Sequence, residues 1–522
     1  MKTYTLSLLF ILCSSLSISA ERKFVQPELI IDDKFTIELA AAPPLVEHPM
    51  LATIDPQGRM FISESDGQNL QKAELLKQKP RFVRMLEDTD RDGIYDKSTI
   101  FADKMVMPEG ALWHQGALYI ISSPYLWRLE DTDGDGVADR RDKIMGYMEF
   151  DGRANQHGPW LGPNGLLYFT GGIFGYDLVG SDGVHAVKGT SAGVFACRTD
   201  GSDIRVICHA GINPVELAFT PWGDMLGTCA IFDSVGGRHD SLNHWIHGGQ
   251  YGPKDYGSTR EGPASLKRTG YRLGTVVRWG QVAPAGLLRY RGRHLGKDFL
   301  GDFFSCHFNT HEVRHSSLVP SGSTFGAEDE VFLRSPSIDF HPTDVLEDHD
   351  GSLLVIDTGG WLSWGCPTSK LAKPQLRGAI YRIRRKGGAG TTDPLGSKID
   401  WKNGSHRYLA SLLADERPRI RDRARETLVN RGTKSEKALV SFLSGSKNPE
   451  ARARAIWTLS RTGGKDALAA LRTALNDNHA GVSQAAARSL GELKDKAAVK
   501  SLCLIVTNGT PGARRTAAES LG

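Results

Sequence analysis

A six-bladed β-propeller followed by an α-solenoid is the fold this sequence predicts, and three observations predict it. A hairpin unit, built of an apolar run, a turn closed by Gly and a second apolar run, recurs six times between residues 51 and 356. A 31-residue unit of Ala/Arg-rich helices then repeats through residues 401–522. The composition agrees: 58 Gly accompany 20 Phe, 10 Trp and 13 Tyr in 522 residues, the mixture of turns and aromatics that repetitive β structure uses. With 40% hydrophobic and 24% charged residues, the chain is not disordered, collagenous or coiled-coil, and it is long enough for two or more domains.

In chain order, residues 1–20 read as a secretory signal. Lys2 supplies the positive start, Leu6 to Leu12 the apolar stretch, and Ser19-Ala20 the small-residue cleavage site. The apolar stretch is far short of the ~20 residues of a membrane span, and no other segment is long and apolar enough. Cys13 follows Phe10-Ile11-Leu12 rather than a small residue, which argues against lipidation. The expected location is periplasmic or extracellular.

The propeller occupies residues 21–385. Its hairpins turn at Gly58, Gly116, Gly165, Gly223 and Gly351, with a weaker copy at Gly301. Pro or Asp sets the first turn position and Gly supplies positive φ. An irregular β-sandwich would not repeat on this period. Residues 386–400, beginning Lys386-Gly-Gly-Ala-Gly, read as a linker, so cutting there is expected to release a folded propeller. In the solenoid, Leu428, Leu459, Leu490 and Leu521 close successive stretches, and Val440, Leu471 and Leu502 repeat on the preceding helices. The pattern resembles short HEAT repeats. It stops at Leu521-Gly522 without a polar cap, so a longer parent chain or a covering partner is expected.

The net charge of +4 conceals an asymmetry: residues 400–522 hold 22 Lys/Arg and 12 Asp/Glu. With the export signal, this basic excess reads as a solvated face rather than a nucleic-acid site. Six cysteines follow the signal. Cys197 and Cys208 flank a turn, so a bridge is conceivable, although their spacing does not set them squarely opposite. No C-x-x-C occurs, which excludes covalent c-type haem.

Two acidic loops carry the strongest local signal. Asp88, Asp90, Asp92 and Asp96, and then Asp131, Asp133, Asp135 and Asp139, stand at loop positions 1, 3, 5 and 9 with Gly at 6, as Ca²⁺ loops require; Asp142 adds position 12 in the second. The expected role is structural, pinning inter-strand loops. His157 stands before the third hairpin, where it can point into the channel as a general base or bond to a neighbouring blade. His307, His311 and His315 recur every four residues and could share one face as metal ligands. Trp222, Trp245, Trp279, Trp361 and Trp364 fall in or beside loops, where they could stack on sugars or pack between blades. No P-loop or dinucleotide fingerprint is present.

The order of motifs resembles a known family. His157 with Gly162-Pro-Asn-Gly-Leu-Leu-Tyr168, Gly211-Ile-Asn213-Pro214 running to Gly223, Asp240-Ser-Leu-Asn243 running to Gly252, Ala283-Pro284-Ala-Gly286-Leu287 and Gly378-Ala-Ile-Tyr381 resemble, in order, the segments of soluble sugar dehydrogenases that use pyrroloquinoline quinone. The overall layout, with Trp361-Leu-Ser-Trp364-Gly-Cys366-Pro and Lys373-Pro374, is similar to large secreted proteins termed "putative membrane-bound dehydrogenase domain" proteins. These join such a propeller to HEAT repeats and often end in a c-type haem domain. The resemblance implies an exported oxidoreductase acting on a sugar or polyol. His157 would be the base, Asn213 and Pro214 would lie at the cofactor, and electrons would pass to a separate haem protein. The chain departs from the pattern where the quinone's carboxylates need cations: Ile212 replaces the Arg before Asn-Pro, and Phe340-His-Pro-Thr-Asp344-Val lacks both family arginines. The calcium segment near Ile231-Phe-Asp233 is also altered. The alternative is a non-catalytic propeller that binds a glycan or a protein, with the solenoid as docking surface.

Overall fold

The computed structural model describes residues 24–150, 156–233, 237–251, 273–362, 372–388 and 390–522. Six antiparallel sheets of four or five strands stand around a channel. Their innermost strands are Pro49–Ile54, Leu112–His114, His157–Leu161, Asn213–Phe219, Pro284–Arg289 and Pro342–Glu347. Each touches the next, and the sixth touches the first, so the ring is closed. The blades are numbered 1 to 6 in that order.

The six hairpin turns lie where the sequence puts them. Each joins an innermost strand to its blade's second strand, and the turn glycines adopt φ between +84° and +96°, a region that a Cβ disfavours. All six turns therefore sit at one mouth of the channel, and the first residues of the innermost strands sit at the other. Blade 6 is completed by Phe35–Ala41, which pairs with Ala379–Arg385, so an early strand locks a late one. Apolar clusters fill the gaps between blades, as where Phe61 and Val83 meet Leu118 and Ile120.

The solenoid is four helix pairs. Its second helices begin at Pro418, Pro449, Ala480 and Pro511, each 31 residues after the last. Leu428, Leu459 and Leu490 are buried, and Leu521 is exposed. Val440 is only half-buried, because its neighbour Leu439 takes the core position on that helix.

The solenoid lies across the hairpin-turn mouth. Trp457 donates its indole N–H to the Pro221 carbonyl at 2.9 Å, and Trp222 packs on Gly481. Gln484 and Arg515 both donate to Asp224, a residue 2% exposed. Arg291 binds Asp422 at 2.8 Å, and Arg205 binds Glu492 at 2.7 Å. Charges cross the seam in both directions: propeller arginines meet solenoid carboxylates at Asp422 and Glu492, and the solenoid's Arg515 meets the propeller's Asp224. Residues 390–400 pack on both parts: Leu395 lies against Gly58, Thr391 donates to the Asp350 carbonyl, and Ile399 joins the solenoid core. The stretch is a bracket rather than a free tether.

Candidate active site at the open mouth

His157 begins the innermost strand of blade 3 and pairs across it with Thr170. This puts it at the mouth opposite the solenoid. Its side chain is 12% exposed, and Nδ1 lies 3.7 Å from Glu109 Oε2, too far for a hydrogen bond. The Asn213 side chain lies beside it without closing a bond of normal geometry, and neither ring nitrogen has a hydrogen-bond partner among the described residues. Burial pushes the imidazole pKa down to about 4, with Asn213 opposing, so His157 is neutral at physiological pH. His157 faces the channel mouth, and Asn213 of the neighbouring blade 4 flanks it.

Glu109 was not singled out by the sequence. It lies in the segment leading into blade 2, where its carbonyl accepts the Gly158 N–H at 2.9 Å. This close approach needs Gly110 at φ +122°, since a Cβ there would stand 2.5 Å from the Gly158 carbonyl oxygen. Behind Glu109 lies Arg81, 4% exposed, stacked 5.0 Å from the Trp361 ring and electrostatically coupled to Glu109 and Asp66. Pro214 is buried in the strand opposite Cys229. It shapes the mouth next to Asn213 and offers no polar group of its own beyond its carbonyl.

The quinone implied by the motifs would have to sit in this mouth. A tricarboxylate needs guanidinium or ammonium groups that are not already spent. Among the described residues beside His157, Arg81 is the buried cation; Glu109 and Asp66 act on it only at a distance, its Nε has no hydrogen-bond partner, and one guanidinium does not answer three carboxylates. Ile212 is half-buried and apolar at the family's arginine position. Asp344 does not reach the mouth as a ligand: it is spent on the Ala52 N–H at 2.9 Å and the Val345 N–H at 2.8 Å. The described residues do not fit the quinone.

The acidic loops join the third and fourth strands of blades 1 and 2, away from His157. Carboxylate oxygens of Asp88, Asp90 and Asp96 lie within 4.8 Å of one another, as do those of Asp131, Asp133 and Asp135. Three hard oxygens at such spacing fit Ca²⁺. Asp92 stands in the first loop with one oxygen accepting the Ile94 N–H, and Asp139 in the second turns to the Thr132 N–H and hydroxyl. Asp142 is not a loop residue. It lies on the following strand, Arg140–Met145, and is bound by Arg140 at 2.9 Å, so the position-12 assignment does not hold geometrically.

The other candidates disperse. His307, His311 and His315 do not converge: His307 faces Glu312, His311 bonds to the Phe340 carbonyl, and His315 bonds to Asp302 at 2.7 Å. Strand alternation and the intervening turn separate them. Cys197 and Cys208 are free and buried, Cys197 opposite Leu167 and Cys208 opposite Val194, so no bridge forms between them. Trp245 packs on Tyr251, Trp279 on His307 and Trp361 beside Arg81, while Trp222 serves the solenoid. Trp364 and Cys366 lie outside the described residues, as does the segment 1–20. No helix among the described residues is long and apolar enough to cross a membrane.

The chain belongs to a family. The model of the DUF7133 family, described as a domain of unknown function, matches residues 26–386, and HEAT repeats match residues 436–522. The chain is therefore a member of the DUF7133 family, carrying HEAT repeats behind that domain. No curated protein matches it. Solved structures similar to it include a putative oxidoreductase (glucose dehydrogenase) of Thermus thermophilus, at 17% identity over 67% of this chain and 99% of that one, TM-score 0.45. Another is the pyrroloquinoline quinone domain of pyranose dehydrogenase from Coprinopsis cinerea, at 12% identity over 70% and 98%, TM-score 0.47. A third is an aldose sugar dehydrogenase from Streptomyces coelicolor, at 14% identity over 68% and 100%, TM-score 0.40.

Proposed function

We propose that the mouth around His157 is the reactive end of an exported, oxidoreductase-like propeller acting on a sugar or polyol. The observation that carries this reading is a nearly buried, neutral imidazole with both nitrogens unbonded among the described residues, 3.7 Å from a carboxylate. Such a group can take a proton from a substrate hydroxyl at Nε2. The imidazolium so formed would be stabilised through Nδ1 by Glu109. The Asn213 carboxamide, beside the ring, would hold the hydroxyl as it approaches. Arg81 lies behind Glu109 with its positive charge toward the carboxylate. Oxidation also breaks the carbinol C–H bond, so a separate two-electron acceptor brought to the mouth would have to take the hydride, and the motif resemblance implies a haem protein as the onward electron acceptor; no step is assigned to a quinone. The two acidic loops would hold Ca²⁺ as structural ions remote from the chemistry. Export is supported by the pattern of residues 1–20.

A second reading is favoured by the scarcity of cations among the described residues of the mouth, where Arg81 is the buried one: the same groove binds a glycan or protein without turnover. Dye-linked oxidation of a panel of aldoses and polyols, by the wild type and by His157→Ala, separates the two. Turnover lost in the variant supports catalysis. Saturable sugar binding with no turnover by either protein supports the binding reading.

A further inference from the structure

The channel does not end blindly at the solenoid. A cavity of about 550 Å³ lies between the hairpin-turn mouth and the helix Pro418–Asn430. It reaches outward between Pro56, Gln115 and Asn430. This volume suits a small molecule rather than a few waters.

Its wall carries more guanidinium than carboxylate. On the propeller side, Arg289 is matched by Glu450 at 3.3 Å and Arg291 by Asp422 at 2.8 Å. Arg454 shares Glu450, and Glu426 is taken by Arg461 through two bonds. Four arginines of one helix remain, and one of them, Arg423, stacks on the Trp401 ring at 4.4 Å. Arg419 makes a single bond, to the Glu347 carbonyl at 3.0 Å, and its buried Nε has no partner among the described residues. Arg421 is 9% exposed and donates only to main-chain carbonyls, those of Asp415, Glu416 and Arg291. Arg425 has only the edge of the already paired Glu426, at 3.4 Å, and its Nε is also unbonded. Facing them is one buried carboxylate, Glu347, 1% exposed, whose closest cation is the already paired Arg291 at 3.6 Å. Burial and the nearby Arg454 and Arg291 push Arg421 down to about 9, so it stays charged at neutral pH. Deeper in the channel, Glu216 and Asp344 also line the cavity; burial raises both, and the charge of Asp344 raises Glu216 further, so they do not cancel the surplus in full.

Buried guanidiniums without counter-ions are costly, and their planar forks match oxyanions. We propose that this cavity is a binding site for a small oxyanion, a free phosphate or the acidic group of a small metabolite, held by Arg419, Arg421 and Arg425. The site is distinct from the His157 mouth, and its test does not depend on turnover.

The experiment is isothermal titration of the full chain with inorganic phosphate, sulfate and malonate at constant ionic strength set by chloride. Saturable binding is expected, with phosphate against malonate separating a phosphate from a carboxylate source. In Arg419→Gln/Arg425→Gln the affinity should fall roughly 10–100-fold, the worth of one or two charged hydrogen bonds. Glu347→Gln removes the opposing charge and should tighten binding, which keeps the test informative if the double variant misfolds. No saturable heat with any of the three anions would overturn the proposal. Binding that is undiminished in a folded double variant, or unchanged in Glu347→Gln, would overturn it as well.

Discussion

Replacing Trp457 by Ala probes how firmly the solenoid is joined to the propeller. The residue is 1% exposed, lies in the solenoid's own core, and rests on Gly223, where a Cβ would come within 2.9 Å of the indole. Its N–H also serves the Pro221 carbonyl at 2.9 Å. Removing so large a buried side chain costs about 3–5 kcal/mol when the site cannot collapse. About 1 kcal/mol more follows from the unsatisfied carbonyl. Trp457→Phe keeps most of the ring and should lose only ~1–2 kcal/mol. Urea unfolding followed both by far-UV circular dichroism and by fluorescence is the assay. If the two parts are one cooperative assembly, both signals shift together in the Ala variant, and a chain nicked within 386–400 stays associated. A shift confined to the helical signal, with the propeller transition unmoved, would refute the reasoning. So would a loss below ~1 kcal/mol, less than a buried Trp should cost even in a site that relaxes.

The remaining predictions concern metal, protons and the mouth. The full chain should bind about two Ca²⁺ and melt lower in excess chelator, because sites filled at ~100 times Kd contribute ~2.7 kcal/mol each; Asp88→Ala and Asp131→Ala should each remove one ion by elemental analysis, and an unchanged melting temperature would count against both sites. His114 is 5% exposed, and burial holds it down to about 4, below the unfolded value near 6.5. The unfolded state therefore binds the extra proton first, so stability is lost as pH falls from about 6.5 to 4. In His114→Gln this acid loss should be shallower by up to about 3 kcal/mol in denaturation curves across that window, and an equal slope would show that His114 is not the titrating group. His157→Ala should cost roughly 10²–10⁴ in turnover with little change in melting, and wild-type turnover should stay flat down to about pH 5. A large stability loss without a specific rate loss would instead make His157 a structural residue.

The ring of blades was legible because its signal is local: six Gly turns at positive φ and the apolar runs beside them are written in contiguous residues. The 31-residue spacing was legible for the same reason, and the helix starts at Pro418, Pro449, Ala480 and Pro511 reproduce it. What lay hidden is what depends on distant residues. Glu109 reaches His157 only because Gly110 lets two loops touch, and no local motif marks that. The docked solenoid was hidden too, since its basic residues look solvated until Asp224 and Glu347 are seen opposite them. Asp142 shows the converse error: a loop count in sequence placed it at a ligand position, while strand geometry turned it to Arg140.

The claim at the centre of the account is that substrate meets His157 at the open mouth. A crystal structure of the full chain with a sugar identified by the binding or oxidation screen tests it most directly. The account predicts a sugar hydroxyl within hydrogen-bonding distance of His157 Nε2, flanked by Asn213, with Glu109 behind the ring. A sugar bound elsewhere on the propeller, with the His157 mouth filled only by solvent, would contradict it.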